Sequence, residues 1–120
     1  MNILDKIIAH KKLEVAEKSS LVPVKLLEQS VYFDSNVVSM KKYIKHEDKT
    51  GIIAEFKRKS PSKGAINTNA SVETVSIGYM QAGASALSVL TDGPYFGGKN
   101  EDLTIARKYN YCPILRKDFM

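Results

Sequence analysis

Ile52-Ile53-Ala54-Glu55-Phe56-Lys57, running on into Arg58-Lys59-Ser60-Pro61-Ser62-Lys63-Gly64, sets the reading of the whole chain. A short apolar run that ends in charge and opens into a Ser/Pro/Gly-rich stretch predicts a buried strand over 52–57 with a loop after it. Two further runs have the same character, Ala86-Leu87-Ser88-Val89-Leu90-Thr91 and Cys112-Pro113-Ile114-Leu115-Arg116-Lys117. Helical patterns separate them. Val72, Val75 and Tyr79 mark one that stops at Gly83, a residue that tolerates the positive φ of a helix end. Another starts near Asn100, with Glu101 and Asp102 in its first turn and Arg107 and Lys108 in its last, the order that the helix dipole favours. Strand, helix, strand, helix, strand, without turn chemistry short enough for hairpins, predicts parallel pairing through crossover helices. Parallel strands are covered on both faces, which accounts for the unbroken apolar runs.

Upstream of residue 51 the pattern is helical. Leu4, Ile7, Ile8 and Val15 fall on one stripe, Asn2 and Asp5 have the spacing of a capping box, and the helix should run to about Lys18. Pro23 suits the first turn of a second, shorter helix carrying Leu26, Leu27 and Val31, and a third turn is expected around Ser39 to Ile44. The chain therefore divides into a helical extension, 1–50, packed on something else, and an α/β part, 51–120. Two and a half β-α units complete neither a doubly wound sheet nor a closed barrel, which takes about 250 residues.

Composition narrows the function classes. Of 120 residues, 43% are apolar and 26% charged, the balance of a globular domain rather than a disordered one. No apolar run reaches the roughly 18 residues of a membrane span. Asp5 interrupts the place where a secretory signal would need continuous apolar sequence, so a cytoplasmic chain is expected. The one cysteine, Cys112, cannot close an internal disulfide, and His10 and His46 lack zinc-site spacing, so no structural metal is expected. Cys112 reads as a small core residue and both histidines as surface residues. The net charge of +5 lies wholly in the first half: residues 1–64 hold 13 Lys/Arg against 8 Asp/Glu, and residues 65–120 hold 5 against 5. Such asymmetry suits an anionic partner or simply a solvated lysine-rich surface.

In parallel α/β folds the reactive groups gather at the carboxyl ends of strands. Glu55 and Lys57 are two apart and share a face, about 6.5 Å apart along the strand. Lys117 shares its face with Leu115 and Phe119, whereas Arg116 and Asp118 point oppositely. If both faces meet at one opening, a carboxylate stands beside two ammonium groups. The carboxylate keeps its charge while the cations depress each other's pKa, so that a lysine can donate a proton near neutrality. The rival reading is a set of polar strand ends reaching solvent.

The basic segment Lys57–Lys63 admits a nucleic-acid patch, an active-site loop holding an anionic substrate, or a solvated loop. No aromatic residue is interleaved and the segment joins two core elements, which argues against nucleic acid. Gly93-Pro94-Tyr95-Phe96-Gly97-Gly98-Lys99-Asn100 nearly spells a phosphate loop, but Asn100 replaces the Ser/Thr that would hold Mg²⁺ and three bulky residues crowd the loop. Asn69-Ala70-Ser71 spells a glycosylation sequon that is idle without secretion.

Three blocks together resemble the indole-3-glycerol phosphate synthase family: Ile53-Ala54-Glu55-Phe56-Lys57-Arg58-Lys59-Ser60-Pro61-Ser62; Ser88-Val89-Leu90-Thr91-Asp92 with Phe96-Gly97-Gly98; and Pro113-Ile114-Leu115-Arg116-Lys117-Asp118-Phe119. Their order and separation fit, and the resemblance spans the whole chain. It implies a (β/α)8 TIM barrel, here with strands 1–3 only, preceded by the helical extension. It implies a lyase of tryptophan biosynthesis that closes the indole ring of 1-(2-carboxyphenylamino)-1-deoxyribulose 5-phosphate with decarboxylation and dehydration. Neither a metal nor an organic cofactor is implied, and the expected partner is that phosphorylated aryl sugar, with no nucleic acid and no membrane.

Residue by residue, Lys117 matches the general acid, and Glu55 with Lys57 the pair that orients substrate and assists proton transfer. Ser60 and Pro61 match the loop that receives the anthranilate carboxylate, and Phe96 and Phe119 the apolar walls around the ring. The family's second catalytic carboxylate, a substrate-placing asparagine and the late phosphate-binding loops fall beyond Met120. The expectation is an open half-barrel that is silent alone and prone to self-association through its exposed edge. A different phosphate-sugar barrel enzyme and a basic nucleic-acid module using Lys57–Lys63 are the alternatives.

Overall fold

The computed structural model describes residues 2–119. Two compact units divide them, a helical one ending at Val37 and one spanning Val38–Phe119. The first holds α1 (Ile3–Leu21) and α2 (Val24–Glu28). Asn2 and Asp5 form the expected capping box, the Asp5 amide donating to Asn2 Oδ1 at 2.8 Å. α1 runs one turn further than the sequence suggests, and its apolar stripe is not a buried seam: only Ile7 is buried, while Leu4, Ile8 and Val15 are 40–49% exposed. Pro23 stands as the N-cap of α2, which ends before Val31. α3 (Met40–Lys45), capped by Ser39, groups with the second unit and lays Tyr43 against its core.

That second unit is built on the three parallel strands β1 (Ile53–Phe56), β4 (Ala86–Leu90) and β5 (Ile114–Lys117), in the order β1-β4-β5. Helices α4 (Val72–Gln81) and α5 (Asn100–Tyr109) make the crossovers. Ser71 caps α4 by accepting from the Thr74 amide, which gives the sequon serine a structural use, and Gly83 takes φ +99° just past its end. Both helices cover one side of the sheet: Val72 of α4 and Ala106 of α5 join Phe56, Leu87, Val89 and Cys112 in a single core cluster. A doubly wound sheet carries helices on both faces, whereas a (β/α) barrel keeps them all outside. The arrangement is therefore that of consecutive barrel units, and no closed barrel forms among the described residues. The register sets Glu55 beside Ser88 and Ser88 beside Leu115, so a second row of side chains lies on the face opposite the helices.

The stretch after β1 differs from the expected plain loop. β2 (Lys59–Ser60) pairs antiparallel with β3 (Gly64–Ala65), and Pro61 to Lys63 form the connection. Gly64 closes this hairpin at φ +66°, a left-handed conformation that glycine adopts without a Cβ penalty. The expectation that no turn was short enough held between core strands and failed inside the loop, where three residues and one glycine suffice. No described helix is long and apolar enough to cross a membrane.

Candidate active site

Glu55 stands near the carboxyl end of β1 and Lys117 at that of β5, with β4 between them. The period-2 alternation of each strand turns both side chains to the face away from the helices. There they meet: Lys117 Nζ donates to Glu55 Oε1 at 2.8 Å. Lys57 reaches the other carboxylate oxygen, its Nζ lying 3.7 Å from Oε2. From the central strand, the Ser88 hydroxyl donates to Oε1 at 3.1 Å. On the helix side, the Tyr79 hydroxyl donates to the Glu55 carbonyl at 3.0 Å and fastens the strand beneath the carboxylate.

Lys57 and Lys117 thus converge on the Glu55 carboxylate, as the shared strand faces predict, but the electrostatics differ from the sequence expectation. Burial pushes the Glu55 carboxyl upward; the hydrogen bond and charge of Lys117, with help from Ser88 and Lys57, outweigh it and hold the group below its ordinary value of 4.5. Lys117 is raised above 10.5, chiefly by its hydrogen bond to Glu55 and against the opposing effect of burial. A carboxylate in direct contact dominates a second ammonium that touches only the far oxygen, so the cations do not depress Lys117 as expected. Both charges stay in place across the neutral range.

The signs define a window. A depressed carboxyl contributes stability that is present above 4.5 and lost as pH falls through its lower folded value; a raised ammonium contributes stability present below 10.5 and lost as pH rises through its higher one. We expect the Glu55 side-chain carbon to titrate with a midpoint below 4.5 by NMR, and an ordinary midpoint would contradict the ion pair.

Phe96 and Phe119 also come together. Their ring centroids are 6.0 Å apart at 43°, a tilted aromatic pair in which Phe96 is buried. Ser60 is buried, and its hydroxyl is engaged inside the hairpin, accepting from the Lys63 amide at 3.2 Å with Ser62 Oγ at 3.4 Å. Pro61 heads the hairpin turn and is exposed. The Ser60 hydroxyl is thus engaged within its own hairpin, with Ser62 and the Lys63 amide.

Sequence reasoning missed Arg58 and Asp102. Arg58 is not a surface cation of the basic segment: it makes a bidentate ion pair with Asp102 of α5, Nη2 to Oδ1 at 3.0 Å, and Asp102 is 1% exposed. It also donates to the carbonyls of Ala70 and Gly97, each at 3.3 Å, and lies over the Phe56 ring at 4.8 Å. The hydrogen bond from Arg58 to Asp102 raises the guanidinium further above its ordinary value. With Arg58 turned inward, Lys57, Lys59 and Lys63 are the remaining cations of the segment. The near phosphate loop is likewise closed: the amides of Tyr95, Gly97 and Gly98 donate to Asp92 Oδ2, the Gly93 carbonyl and the Asp92 carbonyl at 2.8–2.9 Å. A Cβ on Gly98 would stand 2.0 Å from the Leu90 carbonyl oxygen, so the loop folds back on β4 as only glycine permits. Cys112 is fully buried and its thiol is pushed up by that burial, as suits a core residue. Among the described residues no group of three or more His, Cys, Asp or Glu could hold a metal ion.

Comparison with known proteins gives this arrangement a context. Residues 4–120 match the family model described as indole-3-glycerol phosphate synthase. The chain belongs to that family. An indole-3-glycerol phosphate synthase of Bacteroides thetaiotaomicron is 44% identical over 119 residues, covering 99% of this chain and 45% of the relative. Relatives of the same name from Campylobacter fetus and Prochlorococcus marinus are 36% and 37% identical, with 98% and 99% of this chain and 46% and 41% of each relative covered. The chain thus spans about half the length of the curated indole-3-glycerol phosphate synthases it matches. Family membership supports the barrel reading of the one-sided helix arrangement.

Proposed function

We propose that the complete protein closes the indole ring of 1-(2-carboxyphenylamino)-1-deoxyribulose 5-phosphate in the cytoplasm, releasing CO2 and water. The observation that carries this is the Lys117 ammonium held 2.8 Å from Glu55 at the mouth of parallel strands, in a chain of this family. The carboxyl-bearing aromatic carbon attacks the sugar ketone, and a C–C bond forms as the carbonyl π-bond breaks onto oxygen. Lys117 gives its proton to that oxygen. An ammonium remains a far stronger acid than the alcohol it creates, even when a carboxylate has raised its pKa, and its positive field favours the developing alkoxide. Loss of CO2 returns its bonding pair to the ring. The new hydroxyl then takes up one proton and leaves as water while the neighbouring carbon gives one up, both exchanges falling to the Glu55 and Lys57 side of the mouth.

Phe96 and Phe119 supply the wall for the aryl ring, and the Ser60-Pro61 turn lies where its carboxylate enters. Phosphate recognition belongs to residues beyond the described strands. These 120 residues by themselves should not turn over substrate, and their open strand edges should promote self-association. The complete protein should convert the aryl sugar to the indole product with one CO2 released per ring closed, read by indole fluorescence and CO2 release. A folded complete protein that releases no CO2 would sink the reading, and turnover by residues 1–120 alone would overturn the silence of the half-barrel.

A further inference from the structure

Ser88 lies on the central strand β4, is 3% exposed, and sits directly beside Glu55 in the parallel register. Its hydroxyl shares Glu55 Oε1 with Lys117, at 3.1 Å and 2.8 Å, so two donors arriving from different strands fix the plane of the carboxylate and leave Oε2 for Lys57. These donors are not equivalent. Lys117 has a long side chain that is 43% exposed, whereas Ser88 has one χ angle and a buried strand behind it. In the ring-closure reading, on which this inference rests, Lys117 must turn toward the nascent alkoxide and loosen its hold on Glu55.

We propose that Ser88 is a positioning residue, whose hydroxyl keeps Glu55 in its working orientation and ionised while Lys117 serves the substrate. The charged groups facing the Glu55 carboxylate are Lys117 from β5, with Asp118 acting on that lysine, and Lys57 from the end of β1; from α4, the Tyr79 hydroxyl donates to the Glu55 backbone carbonyl. With those charges present in every variant, the hydroxyl's effect can be isolated. A donor to the ionised form favours it, so its removal moves Glu55 toward higher pH.

The test uses the complete protein labelled at glutamate side-chain carbons, with NMR titration of Glu55 and the pH profile of kcat run side by side. Ser88→Ala should raise the Glu55 midpoint by about half a pH unit or more and carry the acid limb of kcat up with it. Turnover should fall about tenfold with KM nearly unchanged, because the interaction matters after substrate has bound. Ser88→Cys fills the same space with a weak donor and should fall between the two. If Ala disrupts folding, the Cys variant supplies the same reading. A Glu55 midpoint that stays at the wild-type value in a folded variant would reduce Ser88 to a packing residue. Absence of turnover in the wild type would instead count against the ring-closure reading, while the titration would still decide whether Ser88 governs Glu55.

Discussion

Lys117→Ala in the complete protein should lower kcat by about 10²- to 10⁴-fold, the range that a positioned general acid contributes, while shifting thermal unfolding little. Two features lead to that split. Lys117 is 43% exposed at the end of the last described strand, so little packing depends on its stem. Glu55 keeps Ser88 and Lys57 when the ammonium is gone and is not left as an isolated charge. Lys117→Arg separates the proton from the field. The guanidinium retains positive charge and can pair with Glu55, but it does not release a proton at any working pH. We expect Arg to preserve KM better than Ala and to recover little of kcat. Turnover of the Ala variant within a few-fold of wild type would remove Lys117 from the acid role, and an active Arg variant would show that the field alone suffices.

The residues that sequence placed correctly are those governed by strand periodicity. Glu55 and Lys57 two apart, and Lys117 two from Leu115, share faces because alternate side chains in a strand do so, and parallel connections align those faces at one end of the sheet. Helix limits at Asn2, Ser39 and Gly83 were legible for a similarly local reason, whereas the Ser71 cap was read only as part of a sequon. Ser88 was not, although a signal existed: within the apolar run 86–91 it is the one polar residue of the strand proper, and it falls on the same face as the charged trio. It reads as core because a buried hydroxyl needs only one partner, and that partner is 33 residues away. Arg58 and Asp102, 44 residues apart, carried no joint pattern at all. Each looked solvated in its own neighbourhood, one in a basic loop and the other in the first turn of a helix. The sign of the Lys117 shift was missed for a related reason. Spacing shows which groups gather but not which of them touch, and a contact at 2.8 Å outweighs a like charge farther off.

Arg58→Ala should be the most destabilising of the substitutions considered, costing about 3–5 kcal/mol in urea unfolding of the complete protein. The cause is what it leaves behind. Asp102 is 1% exposed, and deletion of the guanidinium strands its carboxylate in a space with no room for bulk solvent. The carbonyls of Ala70 and Gly97 lose a donor, and Phe56 loses the cation over its ring. Asp102→Asn should cost less, since the amide keeps the shape and its oxygen can still accept from Arg58, while the guanidinium, 14% exposed, retains its contacts to the two carbonyls. The double variant Arg58→Ala/Asp102→Ala should be less unstable than the two single alanine variants predict by addition, because it removes the stranded charge along with its partner. Strict additivity would mean that the pair is a bystander. Arg58 itself also joins the end of β1 to the loop after β4: its carbonyl accepts from the Ile66 and Asn67 amides that return from the hairpin, and its guanidinium reaches Gly97, next to Phe96. Arg58→Ala therefore also frees the loop bearing Phe96, while the backbone bonds to the hairpin remain. Asp102→Asn, with the Arg58 contacts to the two carbonyls retained, should keep KM and kcat close to the wild-type values, in contrast to the loss of kcat expected for Lys117→Ala.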